Sequence, residues 1–167
     1  AGHIKIPVSD LLKNKKYDTF NPLVHGSAKI GPCRSLKITA DRIIAGSNNG
    51  WGLFDTEGNA LHLSKSEGFT KFCTAVALDN TQQCWIGTID GLCVFKNGKT
   101  IPYNLTDSIF RQRVTDIAAD KYNGVVVSTR GAGIIYIDGE KHYSLREADG
   151  LTTDLCGNIV IDDSIIW

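Results

Sequence analysis

The 167-residue chain reads as an all-β protein, a partial β-propeller of about four blades of four antiparallel strands. Three observations predict this. Apolar residues Ile44, Trp85, Val126 and Trp167 each sit near the start of a short apolar segment, and successive members are always 41 residues apart. After each of the first three comes a pair of small or hydroxylated residues, namely Gly46-Ser47, Gly87-Thr88 and Ser128-Thr129, then a turn rich in Gly, Asn or Asp and a second apolar run. Every unit holds four short strand-like segments and no long amphipathic stretch, which excludes helical repeats of similar length. A two-sheet sandwich has no reason to keep so regular a period.

Taken in order, residues 1–34 read as a partial first blade. Residues 4–8 supply a third-type (C) strand despite Pro7, and residues 17–20 a fourth-type (D) strand, since Phe20 lies 41 residues before Leu61. Complete blades follow at 35–73, 74–113 and 114–157, and 158–167 opens a truncated one. In the third complete unit, strands A to D are expected at 114–119, 124–128, 133–138 and 141–145. Asn97-Gly98 and Asp138-Gly139 fall between C and D, where a two-residue turn wants positive φ; Asn123-Gly124 does the same between A and B. Several strands carry consecutive apolar residues rather than strict alternation, the pattern of small sheets covered on both faces.

Composition removes several functions. Eighteen basic and eighteen acidic residues cancel, and the densest basic stretch, residues 13–16, is too short to track a phosphate backbone, so nucleic acid is not an expected partner. No apolar run approaches the length of a membrane span, so no membrane contact is expected within this chain. Residues 1–4 show no signal-peptide pattern, which leaves location illegible from targeting. Five cysteines without a CxxC pair point to small core residues rather than a zinc site or disulfide framework, and no metal or other cofactor is expected.

No catalytic constellation emerges. Gly131-Ala132-Gly133 lacks the third glycine and the helix of a dinucleotide fingerprint. Asp79 and Asp120 read as turn formers. His62 and His142 both fall on D strands. A binding site should lie where the B–C and D–A connections of different blades converge. Those connections carry the ligand-binding candidates Asn48, Asn49, Asp90, Arg113 and Arg130: the arginines offer forked donors for carboxylate or hydroxyl groups, and Asn48 and Asp90 accept sugar hydroxyls.

Trp85-Ile86-Gly87-Thr88-Ile89-Asp90-Gly91-Leu92, with Val76-Ala77-Leu78-Asp79 upstream, resembles the two-component regulator propeller repeat, whose pattern is an apolar strand, Asp, a Gly-containing turn, Trp-Ile-Gly-Thr and Gly-Leu. The resemblance covers residues 35–167 and departs where Ile44 and Val126 replace the Trp and Ser128 replaces the Gly. It implies a non-enzymatic sensor module in the periplasmic or extracytoplasmic region of a bacterial two-component signalling protein, with a small molecule or oligosaccharide as ligand. A protein-interaction scaffold is the alternative, and a polysaccharide lyase or hydrolase a more distant one. Propellers of that family are larger, so further blades or a second copy of the chain are expected to close the ring.

Overall fold

The computed structural model describes residues 32–162 and 165–167. The expected strands at 4–8 and 17–20, and with them nearly all of the expected first partial blade, lie outside the described residues.

Three four-stranded antiparallel sheets follow one another along the chain, each with its strands in sequence order. The first holds β1 (Cys33–Ile38), β2 (Ile43–Ser47), β3 (Gly50–Phe54) and β4 (Ala60–Leu63); the second β5 (Cys73–Leu78), β6 (Cys84–Thr88), β7 (Gly91–Lys96) and β8 (Lys99–Pro102). The third holds β9 (Val114–Ala119), β10 (Val125–Thr129), β11 (Ile134–Asp138) and β12 (Lys141–Leu145), and β13 (Ile161–Asp162) pairs with β14 (Ile165–Ile166) as a fourth A–B hairpin. The only helix among the described residues is single 3-10 turns in the D–A connections, such as Ser64–Glu67 and Ser108–Arg111. β1 and β5 open at Cys33 and Cys73, slightly ahead of the blade starts expected at 35 and 74.

The apolar runs have the predicted cause. In each B strand, successive side chains face opposite neighbours. Ile44 packs forward with Val76 and Leu78 of the second sheet, and Trp85 packs forward with Val114 and Ile117 of the third. Ile86 faces back toward the first sheet, and Val125 and Val127 face back toward the second. Every residue of β2, β6 and β10 is buried. Ile44, Trp85 and Val126 hold equivalent register, opposite Leu53, Val94 and Tyr136 on the neighbouring C strands. Trp167 closes the fourth hairpin through two backbone hydrogen bonds with Val160 and is 72% exposed, with no following sheet among the described residues.

The hydroxylated residue ending each B strand caps the turn after it. Ser47 Oγ donates to Gly50 O (3.0 Å), Thr88 Oγ1 to Gly91 O (2.8 Å) and Thr129 Oγ1 to Gly133 O (3.0 Å), and each oxygen accepts an amide from within the turn. Gly91 has φ +127°, and a Cβ there would lie 2.2 Å from the backbone oxygen of Phe110, so the turn and the next connection meet only because the side chain is missing. Asp79 and Asp120 are turn formers, each accepting two backbone amides of the A–B turn through Oδ1. Among the C–D turns, Asn97-Gly98 has both residues at positive φ as expected. In the third sheet Asp138 instead pairs with Lys141, so Gly139, at φ 59°, takes the first position of a Gly139-Glu140 turn.

Trp85 is nearly buried in the cluster shared by the second and third sheets, and its indole N–H donates to Asp79 Oδ2 at 2.9 Å. Trp85→Ala should therefore destabilise the fold by about 3 to 5 kcal/mol in urea titration. A loss under about 1 kcal/mol would mean that Trp85 does not hold the two blades together.

Candidate functional site

The A strands all run in one direction and frame a cavity at each end. At their far ends, Lys37–Thr39, Ala77, Leu78, Ile117–Ala119 and Ile159–Ile161 surround a space of about 360 Å³. At their starts lies a larger one, about 580 Å³, whose walls include Arg34, Phe72, Thr74, Arg113, Thr115 and Arg130. Its volume suits a small-molecule ligand.

One local feature builds the larger cavity. Each A strand carries a bulge at the same point: the pairing with the B strand skips from Cys33 to Ser35 in β1, from Cys73 to Ala75 in β5, and from Val114 to Asp116 in β9. The skipped residues are Arg34, Thr74 and Thr115, and all three line the cavity. A bulge re-aims a side chain that regular pairing would send into a sheet face, so a repeated bulge converges side chains from successive blades on one space. Thr115 Oγ1 donates to Cys156 O (2.8 Å), tying the third A strand to the segment that leads to the fourth. Thr74 Oγ1 is buried without a hydrogen-bond partner.

Arg113 and Arg130 are brought together by backbone. The Arg130 amide donates to Arg113 O at 2.8 Å, and Arg130 also bridges Leu155 in the next connection. That connection is fixed by Asp154, whose carbonyl accepts the Gly131 and Gly133 amides and whose carboxylate takes Arg146 Nη2 at 2.6 Å. The Arg146 hydrogen bond holds the Asp154 carboxyl below the usual carboxylate range. Arg34 is steadied differently: its Nε donates to Asn48 Oδ1 (2.6 Å) and its guanidinium lies 5.4 Å from the centre of the Phe72 ring.

Of the five candidates named from sequence, Arg113 and Arg130 thus share one cavity. Asn48 stands behind it as the partner of Arg34, Asn49 lies in the B–C turn with its amide on Ser47 Oγ, and Asp90 is exposed and paired with Lys71 Nζ at 3.0 Å. Arg34, Phe72, Thr74 and Thr115 were missed. Arg34, Thr74 and Thr115 fall 40 and 41 residues apart, but none is apolar, and the period shows itself in apolar residues.

The acids around the cavity have other partners. Asp116 Oδ1 accepts the Ile117 amide, its Oδ2 accepts Ile159 N (3.0 Å) from the next A strand, and Lys37 Nζ lies 3.9 Å away. Farther out, the first two D–A connections latch onto the next blade. Glu67 accepts from Thr100 Oγ1 at 2.6 Å and lies 3.0 Å from His62 Nε2, while Asp107 lies 3.0 Å from His142 Nε2. Both histidines are engaged in inter-blade contacts, His142 through Asp107 and His62 through its ring, whose centre lies 4.2 Å from that of Phe95 in the next blade. No group of three or more His, Cys, Asp or Glu suited to a metal occurs among the described residues.

No protein-family model matches the chain, and neither does any curated protein sequence. Among solved structures, the extracellular domain assigned to the one component system BT4673 from B. thetaiotaomicron aligns with a TM-score of 0.66 at 19% identity, over 93% of this chain and 22% of that one. The extracellular domain assigned to the hybrid two component system BT3049 of the same organism aligns at 0.60 and 19%, over 78% of this chain and 19% of that one. Virginiamycin B lyase from Staphylococcus aureus aligns at 0.64 and 13%, over 93% of this chain and 53% of that one. The chain spans about a fifth of the length of the two extracellular domains. These likenesses establish the propeller fold. No helix among the described residues is long and apolar enough to cross a membrane.

The cysteines are free thiols. Burial pushes Cys73 and Cys84 up to about 12 and Cys93 up to about 11, against an ordinary 9.0. A pKa raised on folding gives stability that is whole below the unfolded value and is lost as pH rises through the folded ones. The urea midpoint should hold up to about pH 8.5 and fall steadily from there toward pH 11, a fall that Ala at positions 73, 84 and 93 should flatten. At pH 8 the three thiols should resist a disulfide reagent that labels the urea-unfolded chain at once; equal labelling of both states would contradict their burial.

Proposed function

We propose that this chain is part of a sensor-type recognition propeller working outside the cytoplasm, and that it binds a small molecule of oligosaccharide size without turning it over. The observation that carries this reading is the convergence of equivalent bulge residues from three successive blades on one cavity of about 580 Å³. Bulges repeated at one depth interrupt the ladders and re-aim side chains of successive blades toward a common space.

The surroundings favour recognition over chemistry. Asp79, Asp120, Glu67 and Asp107 hold turns and neighbouring blades, so they are not general acids or bases aimed at the cavity. The buried thiols are held protonated and so are poor nucleophiles. The likeness to extracellular domains of signalling systems agrees with a sensor, and the likeness to a lyase at 13% identity is one of fold.

The test is a calorimetric panel of neutral and acidic oligosaccharides on the whole chain. At least one should bind, and Arg130→Ala should weaken it about tenfold, the loss expected when a charge-assisted hydrogen bond is removed. A panel in which no saccharide binds while a protein partner does would replace this reading with the scaffold.

A further inference from the structure

We infer that the larger cavity is an anion site, and that its ligand is a small molecule bearing at least two acidic groups, carboxylate or sulfate, received by Arg34, Arg113 and Arg130. This rests on the recognition reading above and specifies the chemical class. Three arginines line one space, and none of the residues lining it is Asp or Glu, although the chain as a whole carries equal numbers of acids and bases. Among the described residues, no carboxylate forms an ion pair with any of the three.

Nearby acids are not in reserve. Asp116 is occupied by two backbone amides and Lys37, Asp90 by Lys71, and Asp154 by Arg146 and the Glu147 amide. Holding three like charges around one concavity is unfavourable, and most so where low-dielectric walls reduce screening. A ligand that brings negative charge removes that repulsion.

The geometry also favours discrete acidic groups over diffuse counterions. Asn48 and the Phe72 ring hold Arg34 through its Nε and its face, which leaves its two Nη groups for a bidentate contact. Arg113 and Arg130 are fixed relative to one another by the hydrogen bond between their backbones. Phe72 and Leu155, also in the lining, offer apolar surface for the body of the ligand. A planar guanidinium matches a carboxylate or sulfate edge, so two such groups on one molecule engage both halves of the site.

The experiment follows the arginine Nε–Hε signals of the whole 15N-labelled chain by NMR at constant ionic strength. The probes are digalacturonate, inorganic sulfate and neutral cellobiose. Digalacturonate should shift the Arg34, Arg113 and Arg130 signals saturably and leave Arg42 unmoved, and Arg113→Gln with Arg130→Gln should weaken it at least about tenfold. Cellobiose should move none of them. Saturation by sulfate with no response to digalacturonate would overturn the two-acid ligand and leave the anion site with a free inorganic anion as its occupant. Equal, unsaturable shifts at all arginines, or no shift with either anion, would overturn it. Cellobiose bound equally by the wild type and the double variant would overturn the anionic class while leaving recognition intact. Sulfate saturating the three arginines while no oligosaccharide binds would do the reverse.

Discussion

The architecture depends on how closely the A strand of one blade can lie on the B strand of the blade before it. A Cβ on Gly87 would sit 2.5 Å from Val114 Cγ1, and one on Gly46 would sit 2.9 Å from Val76 Cγ1. Both are closer than side chains pack, so the inter-blade distance is set by the missing methyl. From that contact follows the burial of both faces of β2, β6 and β10, and from double-sided burial follow the unbroken apolar runs. The third junction solves the problem another way: Ser128 replaces the glycine, and its hydroxyl hydrogen-bonds to Gly157 O and Thr115 Oγ1. A small polar group is tolerated there because it is satisfied.

The same economy explains where the repeat keeps its residues and where it lets them drift. The second sheet sets Trp85 of its B strand opposite Val94 of its C strand; the third sets Val126 opposite Tyr136. Between these two blades the aromatic ring has moved one strand outward, and the aspartate at the A–B turn has kept an aromatic donor. Trp85 Nε1 donates to Asp79 Oδ2, and Tyr136 Oη to Asp120 Oδ2 at 2.8 Å, a bond that pushes the tyrosine up to about 12. What the second and third blades share is a cross-strand pair of one aromatic and one aliphatic side chain with a hydrogen-bonded carboxylate below it, whereas the first pairs Ile44 with Leu53 and closes its turn with Thr39.

This explains how far the sequence could be read. The strands of the third blade fall within a residue of where the period placed them, because Gly, Asn and Asp mark turns whose backbone has few alternatives. The B strands gave the cleanest register because every residue in them is buried and a change of size is felt at once. The A strands gave the weakest. Their period alternates between 40 and 41 from β1 to β9, since Thr39 closes its turn on Arg42 whereas Asp79 closes on Gln83. The bulges were illegible for a further reason: a skipped residue has no partner across the ladder, so Arg34, Thr74 and Thr115 share a position and a direction without sharing a chemistry.

Net charge is silent about the site for a related reason. An equal count of acids and bases suggests a surface without preference, but the two signs are distributed by different rules. Carboxylates accept hydrogen bonds from backbone amides, so a fold made of turns and blade junctions recruits them. Asp79, Asp116, Asp120, Asp154 and Glu67 are all held that way. Guanidinium groups serve turns differently: they cannot accept from turn amides and reach only free carbonyls, as Arg146 Nη2 does at Gly131 O and Arg42 Nη1 at Asp41 O. As carboxylates are drawn into the scaffold, arginines collect at the open mouth of the bulges, where no turn calls for an acid. A repeat fold rich in tight turns can therefore be neutral by composition and still present a positively charged concavity, and its electrostatics must be read from which carboxylates are free rather than from how many there are.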